Sequence, residues 1–242
     1  MELQEKIEEL QKLIDSSDNV VFFGGAGVST ESGIPDFRST DGLYNQQYKY
    51  PPETILSHTF FMRKSEEFYE FYRAKMNPTG FEPNVTHKFL ADLEKNGKLK
   101  GIITQNIDGL HQKAGSKKVW ELHGSTQRNY CMNCGKFYGP EAVFGVKDIP
   151  QCTCGGVIKP DVVLYEEGLD ERTVENAIRL IVEADVLIIG GTSLAVYPAA
   201  GFIRYFRGRS LVLINKSQTA YDSDADLLIH AGLGEVFSQL HV

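Results

Sequence analysis

Six short apolar runs constrain this chain more than any other feature. They are VVFF at 20–23, GIIT at 101–104, VWEL at 119–122, DVLIIG at 185–190, LVLIN at 211–215 and DLLIH at 226–230. A strand with one wet face alternates apolar and polar residues. A strand buried on both faces reads as a near-continuous apolar run, the habit of parallel sheets. Stretches with helical spacing lie between the runs. Leu3, Ile7, Leu10 and Ile14 share one face of residues 2–15, NVTHKFLADLEKNG at 84–97 opens on an asparagine cap and stops on glycine, and 171–183 is also helical. A short helix is expected after the last run. Strands alternating with helices predict an α/β fold, a parallel sheet with helices on both faces. The 242 residues suffice for one well-buried core and a small satellite.

Two segments break the alternation. Residues 39–82 are irregular and aromatic-rich (LYNQQYKYPPE, then FFMRKSEEFYEFY) and read as an insertion carrying one or two helices. Residues 125–160 have many glycines and little apolar periodicity, and would not fold without a staple. All four cysteines fall there, as Cys131-x-x-Cys134 and Cys152-x-Cys154 separated by seventeen residues. Two close pairs on separate turns suit a closed tetrahedral four-thiolate zinc site, which would supply folding energy and leave no position open for catalysis. An iron–sulfur cluster or two disulfides are the alternatives. The opening MELQEKIEELQKLIDSS is charged throughout and lacks an apolar signal core, so a cytoplasmic location is expected, where clustered cysteines more often bind metal. No apolar run approaches the ~20 residues of a membrane helix, so no membrane partner is expected. The net charge of −7 argues against non-specific nucleic-acid binding.

The first run leads into GGAGVSTESGIPDFR. Gly25-Ala26-Gly27 after a strand and before a helix would let backbone N–H groups approach a pyrophosphate, though such a turn is also simply a tight turn. Only half of the redox dinucleotide fingerprint is present. Thr30 stands where a third glycine would be, and no acidic second strand follows, which speaks against an oxidoreductase. Arg38 suits phosphate pairing and Phe37 the shielding of a reactive centre. Ligands of open α/β sheets bind outside the carboxyl ends of the strands. The polar residues expected there are Gln105, Asn106, Asp108, His111, His123, Thr192, Ser193 and Asn215. An unperturbed imidazole, pKa about 6.5, suits His123 to general-base work. Capping for Asp108, and structural roles for His111 and His123, are the alternatives.

Taken in order, GAGVS at 25–29, GIPDFR at 33–38, TQNIDGLH at 104–111, HG at 123–124, the four cysteines, GTSLAVYPAA at 191–200 and IN at 214–215 resemble the sirtuin family, the NAD-dependent protein lysine deacylases, in its compact bacterial form. The resemblance runs from about residue 18 to 237. It implies a Rossmann-like NAD-binding domain from 1–38, 84–124 and 161–242, with the insertion at 39–83 and the zinc module at 125–160 forming a small domain. It implies that NAD is a consumed co-substrate rather than a redox carrier. Gly25, Ala26, Gly27, Thr30, Phe37, Arg38, Gln105, Ile107, Asp108, His123, Gly191, Thr192, Ser193, Asn215 and Leu233 would contact NAD, with Phe37 screening the reacting ribose carbon. Asn106, Ile107 and Asp108 would form the nicotinamide pocket, so that Asn106, Asp108 and His123 carry the catalysis. The acyl-lysine carbonyl oxygen would displace nicotinamide, and His123 would act as general base on the ribose hydroxyls. The products would be lysine, nicotinamide and O-acetyl-ADP-ribose. Val163, Leu164 and Tyr165 would meet the acylated-lysine protein or peptide, and the four cysteines would hold structural Zn2+. A monomer is expected.

The chain departs from the family pattern in four places. Glu166 stands where many members carry glycine, Gly24 replaces a common threonine, and Cys152-Thr-Cys154 is one residue tighter than the usual second pair. Members preferring acidic acyl groups carry Tyr-x-x-Arg in the insertion helix. Here Tyr69 is followed by Tyr72 at that place, with Arg73 one position late, so acetyl or longer apolar acyl groups are expected over succinyl. Three other functions remain to be weighed: a protein ADP-ribosyltransferase using the same NAD cleft, a non-catalytic acyl-lysine or NAD binding module, and the oxidoreductase.

Overall fold

The computed structural model describes residues 2–36, 42 and 48–242. Phe37 and Arg38 therefore lie outside the described residues. In chain order the strands are β1 (Val20–Gly24), β2 (Leu99–Thr104), β3 (Val119–Glu121), β4 (Gly124–Cys131), β5 (Phe137–Tyr138), β6 (Ile158–Val162), β7 (Val186–Gly190), β8 (Ser210–Ile214) and β9 (Leu227–Ile229). The α-helices are α1 (Leu3–Asp15), α2 (Pro52–Ile55), α3 (His58–Arg63), α4 (Ser65–Lys75), α5 (Val85–Lys95), α6 (Leu110–Lys113), α7 (Glu141–Phe144), α8 (Glu171–Glu183) and α9 (Leu233–Phe237).

All six apolar runs become strands of one parallel sheet in the order β3-β2-β1-β7-β8-β9. From β1 the chain steps to one edge, then returns to build the other half from β7 outward. The topological switch point lies between β1 and β7, and a crevice is expected there. The register aligns the carboxyl ends: Gly24 pairs with Thr104 on one side and Gly190 on the other.

Every residue of β1 is buried, as a strand covered on both faces requires. Successive side chains alternate between two cores. Val20 and Phe22 pack with Ile7, Leu10, Leu90 and Phe237, from α1, α5 and α9. Val21 and Phe23 pack on the other face with Ala177 and Ile181 of α8.

A second, antiparallel sheet has the order β5-β4-β6. Its core joins Phe60, Phe61, Phe68, Tyr69 and Tyr72 to Cys131, Val143, Cys152, Ile158 and Val162. The aromatic insertion and the cysteine segment thus bury one another. The insertion carries three helices (α2, α3, α4), where one or two were expected. Pro52 at the start of α2 and the Ser57 hydroxyl accepting from the Phe60 N–H at the start of α3 divide it.

β4 begins directly after His123 and pairs with β6, whose end leads into Val163. His123 and Val163 therefore sit where the chain passes between the two sheets. Gly124 has φ +76°, and a Cβ there would lie 2.0 Å from the Asp161 carbonyl oxygen. Only glycine permits that approach.

Candidate functional site

The site grows from the ends of β1 and β7. The Gly25 N–H donates to the Gly190 carbonyl at 3.2 Å and the Gly27 N–H to Gly191 at 2.8 Å, so the two strand-end turns lock together. A Cβ on Gly25 would meet Thr192 Cβ at 2.7 Å, and one on Gly27 would meet Gly191 Cα at 2.8 Å. These glycines are set by turn-on-turn packing. The expectation of a helix after them is corrected: two three-residue 3-10 turns follow, Ala26–Val28 and Thr30–Ser32. They are too short to present a helix N-terminus to a phosphate. Asn84, the cap of α5, anchors this loop by donating to the Val28 carbonyl (2.7 Å) and Ser32 Oγ (3.0 Å).

The QNID segment leaves β2 beside that loop. Gln105 Nε2 donates to Thr192 Oγ1 at 3.1 Å, linking the ends of β2 and β7. Ser29 Oγ donates to Asp108 Oδ2 at 2.7 Å, and Asn106 Nδ2 donates to Ser29 Oγ at 3.1 Å. A carboxylate only accepts, so the serine proton points to Asp108 and the serine lone pair fixes which end of the Asn106 amide faces it. Asp108 Oδ1 also accepts from the Leu110 N–H at 2.8 Å, so it stabilises the start of α6 while bordering the crevice. Burial pushes its carboxyl above the usual carboxylate range, and the Leu110 and Ser29 donors hold it back. Ser29 was missed in the sequence, where it is one small residue of a glycine turn. Its buried hydroxyl, between an amide and a carboxylate from a distant strand, identifies it.

His111 does not join this group. Its ring is buried against His87 (ring centroids 4.7 Å apart) and Phe22, and burial lowers both histidines' pKa, to about 4 for His87. It belongs to the core between α5 and α6.

His123 Nδ1 lies 3.0 Å from the Gln105 carbonyl. A carbonyl accepts, so Nδ1 carries the proton and Nε2 keeps a free lone pair. No described residue bonds that Nε2. Burial lowers the His123 pKa, and the Gln105 carbonyl opposes this. The imidazole is neutral at physiological pH, the state a proton acceptor needs.

One cavity of about 830 Å³ runs through the site. Ala26, Gly27 and Thr30 border it from the β1 side, and Gln105, Asn106, Ile107, Asp108 and His123 from the loops after β2 and β3. Gly191, Thr192, Ser193, Asn215 and Leu233 border it from the other half of the sheet, and Val163, Leu164 and Tyr165 close it from the β6 side. Gly25 is buried behind the turn and does not border it. Among the other cavity residues that the sequence did not single out are Glu31, whose Oε1 accepts from the Gly234 N–H at 3.0 Å, and Lys216 beside it. Each directly follows a residue that the sequence did place at the cleft, Thr30 and Asn215.

The segment after β6 is pinned from outside the sheets. The Tyr165 N–H donates to the Leu56 carbonyl and the His58 N–H to Tyr165, each at 2.9 Å. Glu166 adopts φ +77°, a left-handed conformation that glycine takes without strain. Its carboxylate turns to the Thr59 N–H at the start of α3, 2.8 Å away.

The four cysteine sulfurs lie within 4.8 Å of one another. Cys131–Cys154, Cys134–Cys154 and Cys134–Cys152 are separated by 3.4, 3.5 and 3.7 Å. Tetrahedral zinc with Zn–S bonds of about 2.3 Å needs sulfurs about 3.8 Å apart. A Cβ on Gly156 would meet Cys131 Sγ at 2.7 Å, so the knuckle is glycine because the sulfur fills that space. The Cys154 N–H and the Tyr138 hydroxyl lower Cys152 to about 6, favouring a thiolate. Donor set and spacing fit a structural zinc.

The Sir2 family model matches residues 25–198. An NAD-dependent protein deacetylase of Clostridium acetobutylicum is 60% identical over 240 residues, covering 98% of each chain. A solved Sir2 with a deacetylated p53 peptide and 3′-O-acetyl ADP-ribose is 38% identical with a TM-score of 0.87, covering 96% of each chain. A solved Sir2 with p53 peptide and NAD+ is also 38% identical, with a TM-score of 0.85 and the same coverage.

Proposed function

The chain belongs to the Sir2 family, and on that footing we propose that it is an NAD-dependent protein lysine deacetylase that moves the acyl group of an acyl-lysine to ADP-ribose and releases nicotinamide. The observation that carries this reading is one cavity that brings a neutral His123, with a free Nε2, together with Asn106, Asp108 and the Val163–Tyr165 segment. NAD, consumed as a substrate, supplies an anomeric carbon whose bond to nicotinamide breaks as the acyl oxygen attaches to it.

The chain's residues position and then deprotonate. Asn106 and Asp108, held by Ser29, present an amide donor for the oxygen and a carboxylate acceptor for the NH2 of the nicotinamide carboxamide. Ala26, Thr30, Gln105, Thr192, Ser193, Asn215 and Leu233 hold the rest of the dinucleotide along the strand ends. Val163 and Leu164 lay the peptide beside His123, whose carbonyl accepts from the Val163 N–H at 3.0 Å. His123 Nε2 then takes the proton from a ribose hydroxyl, whose oxygen attacks the acyl carbon; a proton passes to the departing lysine nitrogen, and water adds to the acyl carbon still bridged to the ribose to give O-acetyl-ADP-ribose. An amide is a poor electrophile, so fixed alignment is the main source of rate.

The four cysteines hold zinc, which ties β4 and the segment before β6 together and takes no part in the chemistry. We divide the chain into a parallel-sheet domain (1–38, 84–124, 161–242) and a small domain (39–83, 125–160), a division supported by the separate aromatic core of the second. We further propose that the protein acts as a monomer. No helix among the described residues is long and apolar enough to cross a membrane. Metal-suited thiols and use of NAD support work in the cytoplasm. ADP-ribosyl transfer through the same cleft is not favoured, because it gives His123 and the Val163–Tyr165 segment no task. Purified protein mixed with NAD and an acetyl-lysine peptide tests the reading. Loss of acetyl mass matched one-for-one by nicotinamide, and abolished by His123→Ala, is expected; nicotinamide without acetyl loss would overturn it.

A further inference from the structure

The ladder between β4 and β6 is interrupted. Gly124 and Ser125 face Val162 and Asp161, and pairing resumes at Asn129 opposite Pro160, so residues 126–128 stand out of the ladder as a bulge. Bulges are frequent beside active sites, where they re-aim side chains. This one reaches toward the cleft. The Thr126 N–H and hydroxyl both donate to the Ile107 carbonyl at 2.9 Å. Gln127 Nε2 donates to the Asp108 carbonyl at 3.5 Å, and a Cβ on Gly109 would lie 3.0 Å from Gln127 Cγ. Arg128 forks between two carboxylates. Its Nε donates to Asp161 of β6 at 2.7 Å and its Nη1 to Glu121, the last residue of β3 and two before His123.

The two arms of that fork are unequal. The Asp161 side chain is 40% exposed, so water solvates it with or without Arg128. The Glu121 side chain is 6% exposed, and Arg128 is its only ion-pair partner among the described residues. A carboxylate shut away from water depends on its cation far more than a wet one does. Among the described residues, Glu121 is also the charged group that faces Asp108. Burial pushes the Asp108 carboxyl up, and the Glu121 charge adds to that push.

We propose that Arg128 is a positioning residue for the nicotinamide end of the cleft: it neutralises Glu121, so that Asp108 stays an ionised acceptor for the carboxamide NH2, and it anchors the bulge that holds the Ile107–Asp108 loop. This rests on the deacylase reading, which gives Asp108 its acceptor role. Without the Arg128 charge, a buried carboxylate repels Asp108 unopposed. Asp108 then takes up a proton at a higher pH than in the parent, and the acceptor is lost from the acid side.

The test measures nicotinamide and NAD affinity by calorimetry at pH 8, 7 and 6, alongside Tm. Arg128→Met should weaken both ligands roughly tenfold or more at pH 6, the worth of one hydrogen bond to a charged acceptor, and much less at pH 8. Arg128→Met combined with Glu121→Gln should bind both as tightly as the parent at every pH, because no bare charge is left. Asp161→Asn cuts only the wet arm and should stay within about threefold of the parent. Glu121→Gln alone should bind nicotinamide as well as the parent or better, an outcome that holds whether or not Arg128→Met folds. A loss in Arg128→Met that is equal at all three pH values, no recovery in the double variant, an equal loss in Asp161→Asn, or weakened binding in Glu121→Gln overturns the inference and makes the fork a mere structural tie. Failure to release nicotinamide from NAD with any acyl-lysine peptide overturns the deacylase reading instead. The affinities need no turnover, so they still decide the role of Arg128.

Discussion

His123 and Ser29 act on the same crevice by different physics, and single substitutions separate them. In the proposed reaction His123 is the proton acceptor, so His123→Ala should lower kcat by 10²–10⁴-fold while leaving peptide and NAD dissociation constants within a few-fold. Equal losses in binding and turnover would make it a packing residue. Its pKa is held below the ordinary 6.5, so the acid limb of the kcat/KM profile should fall below pH 6.5. Ser29 orients rather than reacts. Ser29→Ala leaves Asp108 one donor short and the Asn106 amide without its acceptor. A lost bond to a charged group is worth about 1.5–3 kcal/mol, so kcat/KM should drop roughly 10- to 100-fold. The shape of the pH profile should not change; a shifted acid limb would mean that Ser29 acts through His123.

At the scale of elements, the packing of α5 against α6 carries its own pH dependence. His87 and His111 face one another there, with Phe22 of β1 behind His111 and the Asn84 N–H donating to His87 Nδ1 at 3.3 Å. Their folded pKa values are depressed. Between 6.5 and about 4 the unfolded chain binds protons that the folded chain refuses, so stability should be full above pH 6.5 and fall as pH drops toward 4. His87 alone accounts for about 3 kcal/mol across that window. Urea unfolding at pH 7, 6, 5 and 4 should show this slope, and His87→Gln should flatten it. The same elements show what was legible. β1, β2, β7, β8 and β9 read directly because strands buried on both faces are dominated by apolar residues, with few polar ones to blur the pattern. β4 reads GSTQRNYC, and what holds it is pairing with β6 and a thiol cluster, neither of which leaves a periodic trace. The strand-end residues were legible because polar side chains after buried strands have few other uses. Ser29, Glu31 and the packing role of Gly25 and Gly27 were not, because each depends on an element far away in sequence.

At the scale of the molecule, two sheets with separate cores share one cleft, and metal stands between them and a working enzyme. Cys131 and Cys152 belong to the aromatic core that also holds Tyr69, Tyr72 and Val162. Loss of zinc leaves four converging thiols and should loosen that core first. Val162 leads into the segment proposed to meet the peptide, and the β4–β6 pairing begins at Gly124, next to His123, so activity should fail with the small domain. The parallel sheet has its own two cores and contains the sole tryptophan, Trp120, which packs on Gly101 and Leu180. Chelation after mild thiol modification should therefore abolish deacetylation and open residues 125–160 to protease, while Trp120 emission stays native. Readdition of zinc after reduction should restore activity. If Trp120 emission instead shifts in step with activity, the two cores unfold as one unit and the proposed division into domains fails. If activity survives complete metal removal, the β4–β6 pairing alone holds His123 in place, and zinc is dispensable to the cleft.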